Sequence, residues 1–369
     1  MFNAKKSLAK LVIACLAVGM PLTAVHPAQA DASVWGSIIG AGIQMASTAH
    51  QLKQLNDTEE GRAKVLESMK SEQGVNDDEA LNQRADAIMA NLTTAIAQVD
   101  PSINDMPYNY YINPSTTFNA ACSLGHNMTI NTGIFSLLTT DDEIAVVLGH
   151  EMGHGQKNHV LKAYQNAIPV NLLATAASAG GGTVASIGAS VVANYIDNVH
   201  IGKSLEREAD KLAFEYITHT DYNIGATAAV WQKVIEEYGN NQSNFVGDLF
   251  NPSDHPSHEE RRDRYAEQIT EYSNGVVSVA DGMVKINGGD FLVPAATESM
   301  SSAERSYFVA GNLARYYHKV TTNIPEAYAA NGTVYVEEQA IITPVAGDPA
   351  AEDLVDTFNS LRNSKQEES

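Results

Sequence analysis

One helix, with a fixed start and a fixed inner face, restricts this chain more than any other feature. Thr140-Asp141-Asp142-Glu143 is a capping box, in which the threonine oxygen satisfies an orphan amide of the first turn and the glutamate reaches back to the cap. Ile144, Val147, Leu148 and Met152 then recur at helical spacing, so that face must be covered by a core. The later turns carry His150-Glu151-Met152-Gly153-His154. Residues i and i+4 of an α-helix share a face about 6 Å apart along the axis, so the two imidazoles can hold one cation between them. Glu151 lies beside them. A carboxylate there can take the proton of an attacking water and hand it to a leaving amine while the cation polarises the scissile carbonyl, the division of labour of peptide hydrolysis.

Three protein ligands leave one metal position open. Ser204 to Ile217 reads as a charged helix on which Glu206 and Asp210 share a face while Glu208 points about 200° away. Only one of the two glutamates can reach the metal. Glu206 is the choice, because Asp210 beside it can then accept a hydrogen bond from the second nitrogen of a ligating histidine and fix its tautomer. Two histidines and a carboxylate suit Zn2+, one ion per chain. His159, about 140° around a continuous helix from His154, is read as a supporting or surface residue. Cys122 is read as a buried structural thiol, and His126 and His258 as loop or cap residues.

The composition is that of a globular protein: 369 residues, 44% hydrophobic and 18% charged, enough for about two domains. A net charge of −21 with no basic stripe excludes nucleic-acid binding. Lys5, Lys6 and Lys10 precede the apolar run Leu11 to Met20, and Ala28-Gln29-Ala30 supplies a small-x-small cleavage pattern. Residues 1–30 therefore read as a secretory signal, cleaved after Ala30, with the periplasm or cell envelope as destination. Val12-Ile13-Ala14-Cys15 has the look of a lipidation site, but Lys10 leaves almost no apolar run before Cys15. Loss of Cys15 would leave Cys122 alone, with no internal disulfide.

Periodicity and breakers divide the rest. Helices are expected over parts of 35–70 and after Asn76-Asp77-Asp78-Glu79, where Leu81, Ala85, Ile88, Met89, Leu92 and Ile96 share a face. Short strands follow at Tyr108–Ile112 and Met128–Ile130. Ala163 to Ile196 contains no charged residue and is interrupted by Pro169 and Gly180-Gly181-Gly182. It is read as a buried or hinged helical pair, with residues 163–203 a mobile cover over the site and a possible peripheral contact with membrane or envelope proteins. After residue 274 the pattern becomes α+β: strands at 276–279, 283–286 and 291–293 around Asp-Gly and Asn-Gly turns, a helix capped by Ser301, one strand from Val334 to Ile342 and a last helix from Glu352. The expected organisation is residues 31–274 as one domain and 275–369 as a small α+β module, with no internal repeat.

Together Phe118-Asn119-Ala120, Thr132-Gly133-Ile134-Phe135, Glu143 through His154, His159, Glu206-x-x-Ala209-Asp210 and His255-Pro256 with Arg261 resemble the HtpX-like and CAAX-prenyl-protease group of zinc metallopeptidases, in its soluble, exported BepA- and LoiP-like branch. The resemblance covers roughly residues 75 to 270. It implies an α+β, mainly helical zincin-type metallopeptidase domain with a small β-sheet. It further implies a zinc endopeptidase acting on polypeptides, misfolded or unfolded envelope proteins in particular; the alternative is a chaperone-like binding protein with a latent zinc site. By resemblance His150, His154 and Glu206 bind zinc, Glu151 is the general base, and Asp210, Asn119 and Arg261 support them. His255, held between Pro252 and Pro256, acts as a latch or assists catalysis. Cys122-Ser123-Leu124-Gly125 stands where relatives carry an apolar-Pro-Gly-Gly run. An extended substrate is expected to pair with an edge strand near Met128 to Asn131.

Overall fold

The computed structural model describes residues 49–166, 202–239 and 256–363. The expected signal peptide, Cys15, residues 167–201 with most of the uncharged stretch, and His255 lie outside them. After a first helical segment at 49–57 come α1 (Glu59–Gln73) and α2 (Glu79–Val99), each begun by a side-chain cap, Thr58 and Asp78 respectively.

Three short strands follow: β1 (Asn109–Asn113), β2 (Ala120–Cys122) and β3 (Asn127–Asn131). Their order is β1-β3-β2, with β1 parallel and β2 antiparallel to β3. The expected edge strand near Met128 to Asn131 is thus the central one, paired on both sides and buried at all five positions. β2 lies at an edge of the sheet, as β1 does, and its three residues are too few to show an alternating pattern.

After the short helix α3 (Thr132–Leu137), α4 (Asp141–Gln156) begins with the expected capping box, the Glu143 amide donating to Thr140 Oγ1 at 3.2 Å and the Thr140 amide to Glu143 Oε2 at 3.0 Å. Every residue from Glu143 to Gln156 is buried, so α4 is enclosed rather than half exposed. Its closest neighbour is α5 (Lys203–Thr218). Gly153 permits that approach: a β-carbon there would stand 3.3 Å from the Ala209 carbonyl oxygen and 3.3 Å from Leu212 Cβ.

Helices α6 (Ala226–Tyr238) and α7 (His258–Tyr272) pack together. The remaining chain forms β4 (Val277–Ala280), β5 (Met283–Ile286), β6 (Gly289–Leu292), α8 (Ser302–Lys319), β7 (Ala327–Ala330), β8 (Thr333–Val336), β9 (Gln339–Ile342) and α9 (Ala351–Leu361). The single strand expected from Val334 to Ile342 is a hairpin, reversed at Glu337 in the left-handed region (φ 52°). The expectation of no internal repeat is also overturned. Each of β7, β8 and β9 starts 50 residues after its counterpart in β4–β6. Both meanders turn first at Asx-Gly with positive φ (Asp281-Gly282 and Asn331-Gly332) and carry a bulge at the same place, Val284/Lys285 and Val334/Tyr335. Packing is reciprocal, α8 lying on β4, β5 and β9 and α9 on β7, β8 and β6. Asp348 ties the halves, accepting from the Ala295 amide at 2.5 Å and the Val345 amide at 2.8 Å while pairing with Arg305. One continuous core joins Leu92, Leu148, Val230, Leu313, Val284, Val334 and Phe358.

Candidate metal centre

The spacing of His150 and His154 brings both rings to the same side of α4, and α5 brings Glu206 against them. His150 Nε2 lies 3.0 Å from His154 Nε2 and 3.4 Å from Glu206 Oε2, and His154 Nε2 lies 3.3 Å from Glu206 Oε1. A tetrahedral zinc with bonds of about 2.0–2.1 Å separates its ligand atoms by about 3.3 Å. All three residues are at most 3% exposed. The donor set and its spacing therefore fit a divalent cation, and the three form a candidate metal site.

Glu151 points back toward this triangle. Its Oε2 accepts from the Cys122 amide of β2 at 2.9 Å, and its Oε1, 4.0 Å from His150 Nε2, has no hydrogen-bond partner among the described residues. Burial pushes its carboxyl up to about 7 against the pull of His150 and the Cys122 amide. The Cys122 thiol is buried, as expected, and burial raises it well above the ordinary thiol range.

Asp210 sits behind His150, its Oδ1 3.0 Å from His150 Nδ1. Arg261 grips the same carboxylate through Nε, at 3.0 Å from Oδ2, and through Nη2, and the Tyr265 hydroxyl adds a bond to Oδ1 at 3.1 Å. Burial opposes the Asp210 charge, but Arg261 and His150 outweigh it and hold the group at about 2. An anion there keeps the proton of His150 on Nδ1, leaving Nε2 for the cation. Arg261 Nη2 is 3.1 Å from that Nδ1, a close approach of two donors rather than a hydrogen bond. The guanidinium also lies 3.6 Å from the centre of the Trp231 ring, which stacks in turn on His258. His258 is thus buried at the start of α7, and His126 is likewise buried, stacked on Tyr108.

His159 comes closer to the site than its place on a continuous helix predicts. Asn158 adopts a left-handed conformation (φ 51°) between α4 and the next helical segment, folding His159 back until its Nδ1 is 3.0 Å from His154 Nδ1. Its Nε2 is 3.2 Å from Glu208 Oε2. Glu208 does point away from the ligand triangle, as its angle on α5 predicts, but it meets this histidine. Asn119 immediately precedes β2; its carbonyl accepts from the Asn131 amide at 2.9 Å, and its buried Oδ1 has no hydrogen-bond partner among the described residues. Sequence reasoning missed Tyr265, Trp231 and the Cys122 amide, whose contacts depend on tertiary packing and leave no local signal.

The profile of peptidase family M48 matches residues 80–268, from α2 behind the sheet to the α7 turn beyond Arg261. Metalloprotease LoiP of Escherichia coli strain K12 is 28% identical over 183 residues, 48% of this chain and 69% of that protein. A putative beta-barrel assembly-enhancing protease of Vibrio cholerae is 21% identical over 185 residues, 47% of this chain and 37% of that protein. Metalloprotease YcaL of E. coli is 26% identical over 119 residues, 31% of this chain and 46% of that protein. The chain thus spans less than half the length of two of these three relatives. Because the matched half contains the histidine pair, the third carboxylate and the elements that hold them, the chain belongs to peptidase family M48 and so to the metalloproteases.

Proposed function

We propose that the protein is an exported zinc endopeptidase that cuts unfolded or misfolded proteins of the cell envelope. The observation that carries the reading is the meeting of three buried ligand atoms at tetrahedral spacing with Glu151 Oε1, which has no hydrogen-bond partner among the described residues. His150, His154 and Glu206 would hold the ion, which when bound supplies Lewis-acid polarisation of the scissile carbonyl. Glu151 is the general base: raised toward neutrality and pinned at one oxygen by the Cys122 amide, it presents the other to the attacking water and later passes the proton to the leaving amine.

Substrate orientation falls to β2. Asn119, Ala121 and Ser123 turn their backbone toward β3, so Ala120 presents its N–H and C=O outward, on the side where the Cys122 amide meets Glu151. A peptide added at this edge must be extended with free backbone groups, which a folded client does not offer. That requirement supports unfolded substrates, and one relative's name, a beta-barrel assembly-enhancing protease, supports the envelope as their source. Among the described residues no helix is long and apolar enough to cross a membrane. The test is to incubate the zinc-loaded chain with a reduced, alkylated protein and with its native form. Internal fragments from the unfolded form alone are expected. Equal cutting of both would contradict the substrate class, and release of terminal residues only would contradict endopeptidase action.

A further inference from the structure

We propose that Glu208 is a positioning residue that acts through His159 to orient His154 toward the metal. The proposal rests on the metal reading above and extends it to residues beyond the ligand triangle. Three acids of one helix, Glu206, Glu208 and Asp210, then serve one ion, as ligand, as the far end of a relay behind His154, and as the direct support of His150.

The argument is a placement of protons. Glu208 as a carboxylate only accepts, so neutral His159, 3.2 Å away through Nε2, carries its hydrogen on that nitrogen. Its Nδ1 is then bare and must accept. The facing atom, 3.0 Å away, is Nδ1 of His154, which must therefore be the donor. With its hydrogen on Nδ1, His154 turns a free lone pair on Nε2 toward His150 and Glu206. The packing leaves little room for another solution. The His159 side chain is fully buried, and its ring meets that of His154 edge-on at 77° with centroids 5.0 Å apart. Its position is set by the left-handed Asn158, whose side chain accepts from Asn56 at 3.0 Å. Without Glu208, His159 is free to carry its hydrogen on Nδ1. Two N–H groups would then face each other at 3.0 Å, and His154 could keep a bond there only by moving its own hydrogen to Nε2, where it blocks the cation. Glu208 itself is nearly half exposed, its side chain at 46%, so it can be changed with little effect on packing.

The test uses the full chain with 15N-labelled histidine. Long-range 1H–15N spectra of the zinc-loaded protein are expected to show His154 protonated on Nδ1 and His159 on Nε2. Zinc affinity, measured by competition with a chromophoric chelator, is expected to fall about 10-fold in Glu208→Ala and up to about 100-fold in His159→Phe, the range found for residues that support metal ligands. Glu208→Gln, whose amide oxygen still accepts, recovers most of the loss. Arg207→Ala, an exposed change on the same helix, leaves affinity and tautomers as in the wild type. If His159→Phe does not fold, the Glu208 pair carries the test. Wild-type zinc binding with Glu208→Ala within twofold of it and unchanged tautomers would overturn the relay alone. Failure of the wild type to bind zinc would overturn the metal site and the relay with it.

Discussion

Asp210 holds His150 in the tautomer that leaves Nε2 for a ligand, and it neutralises Arg261, whose side chain is only 1% exposed. Asp210→Asn keeps the shape and removes the charge, so the buried Arg261 loses the carboxylate it grips through Nε and Nη2. The expected cost is about 3–5 kcal/mol of stability, read by urea unfolding of the metal-free chain. A 10–100-fold loss of zinc affinity should accompany it, and a stability loss under 1 kcal/mol would show that the pair is not what stabilises this corner. The exposed Arg207–Glu260–Arg264 cluster, despite contacts of 2.7 and 2.6 Å, should be worth about 1 kcal/mol or less. His150, His154, Glu206 and Asp210 were readable in the sequence because each lies on a helix whose period fixes which residues share a face. His159 was only half readable, since its final place depends on one left-handed residue, Asn158. Arg261 was expected only by resemblance, as a residue supporting the ligands; the carboxylate it grips and its stacking on Trp231 were set by packing between α5, α6 and α7.

The α4–α5 contact decides whether Glu206 can reach the two histidines. A glycine inside a helix ordinarily costs about 1 kcal/mol against alanine, so Gly153→Ala would stabilise an unpacked helix. Here the added β-carbon meets the Ala209 backbone and Leu212 at 3.3 Å, contacts that only movement of α5 can relieve. The expected sign is therefore reversed: about 1–3 kcal/mol less stable, with weaker zinc retention because Glu206 moves with α5. A more stable variant with unchanged zinc affinity would contradict this. The capped helices were legible as elements because Thr140, Asp78 and Ser301 mark their starts with side-chain chemistry that packing does not change. The β-sheet was legible only in part. β1 and β3 have five residues each, whereas the edge strand β2 has three and looks like loop. α6, with no side-chain cap at Gly225, was not anticipated at all.

Across the molecule, one buried lysine links a helix cap of the metal-bearing region to a helix cap of the C-terminal duplication, beside the core the two share. Lys233 of α6 lies 2.7 Å from Glu143, in the capping box of α4, and 3.9 Å from Glu304, in the capping box of α8. Burial, which outweighs Lys233, pushes Glu304 up to about 7 from 4.5. Between those values the folded chain keeps a proton that the unfolded chain has released, so stability should fall as pH rises from about 5 to 7. Glu304→Gln preserves the capping geometry and removes the titration. Its unfolding free energy, compared with the wild type across that window, should fall less by on the order of 1–3 kcal/mol; parallel profiles would contradict the assignment. The duplication escaped sequence reading because the two copies share turns, a bulge position and burial pattern but few identical residues, Gly282/Gly332, Val284/Val334 and Pro294/Pro344 among them. Such a repeat shows itself when the strands are paired. The central claim, that one ion held by His150, His154 and Glu206 works with Glu151, is tested most directly by proteolysis of an unfolded protein. The chain is stripped by a chelator and then titrated with zinc, beside Glu151→Gln. The account predicts no cleavage by the stripped chain, recovery complete at one zinc per chain, and a Glu151→Gln variant that binds zinc equally but cuts slower by about 100-fold or more. Cleavage that survives complete zinc removal, or that persists at wild-type rate in Glu151→Gln, would contradict it.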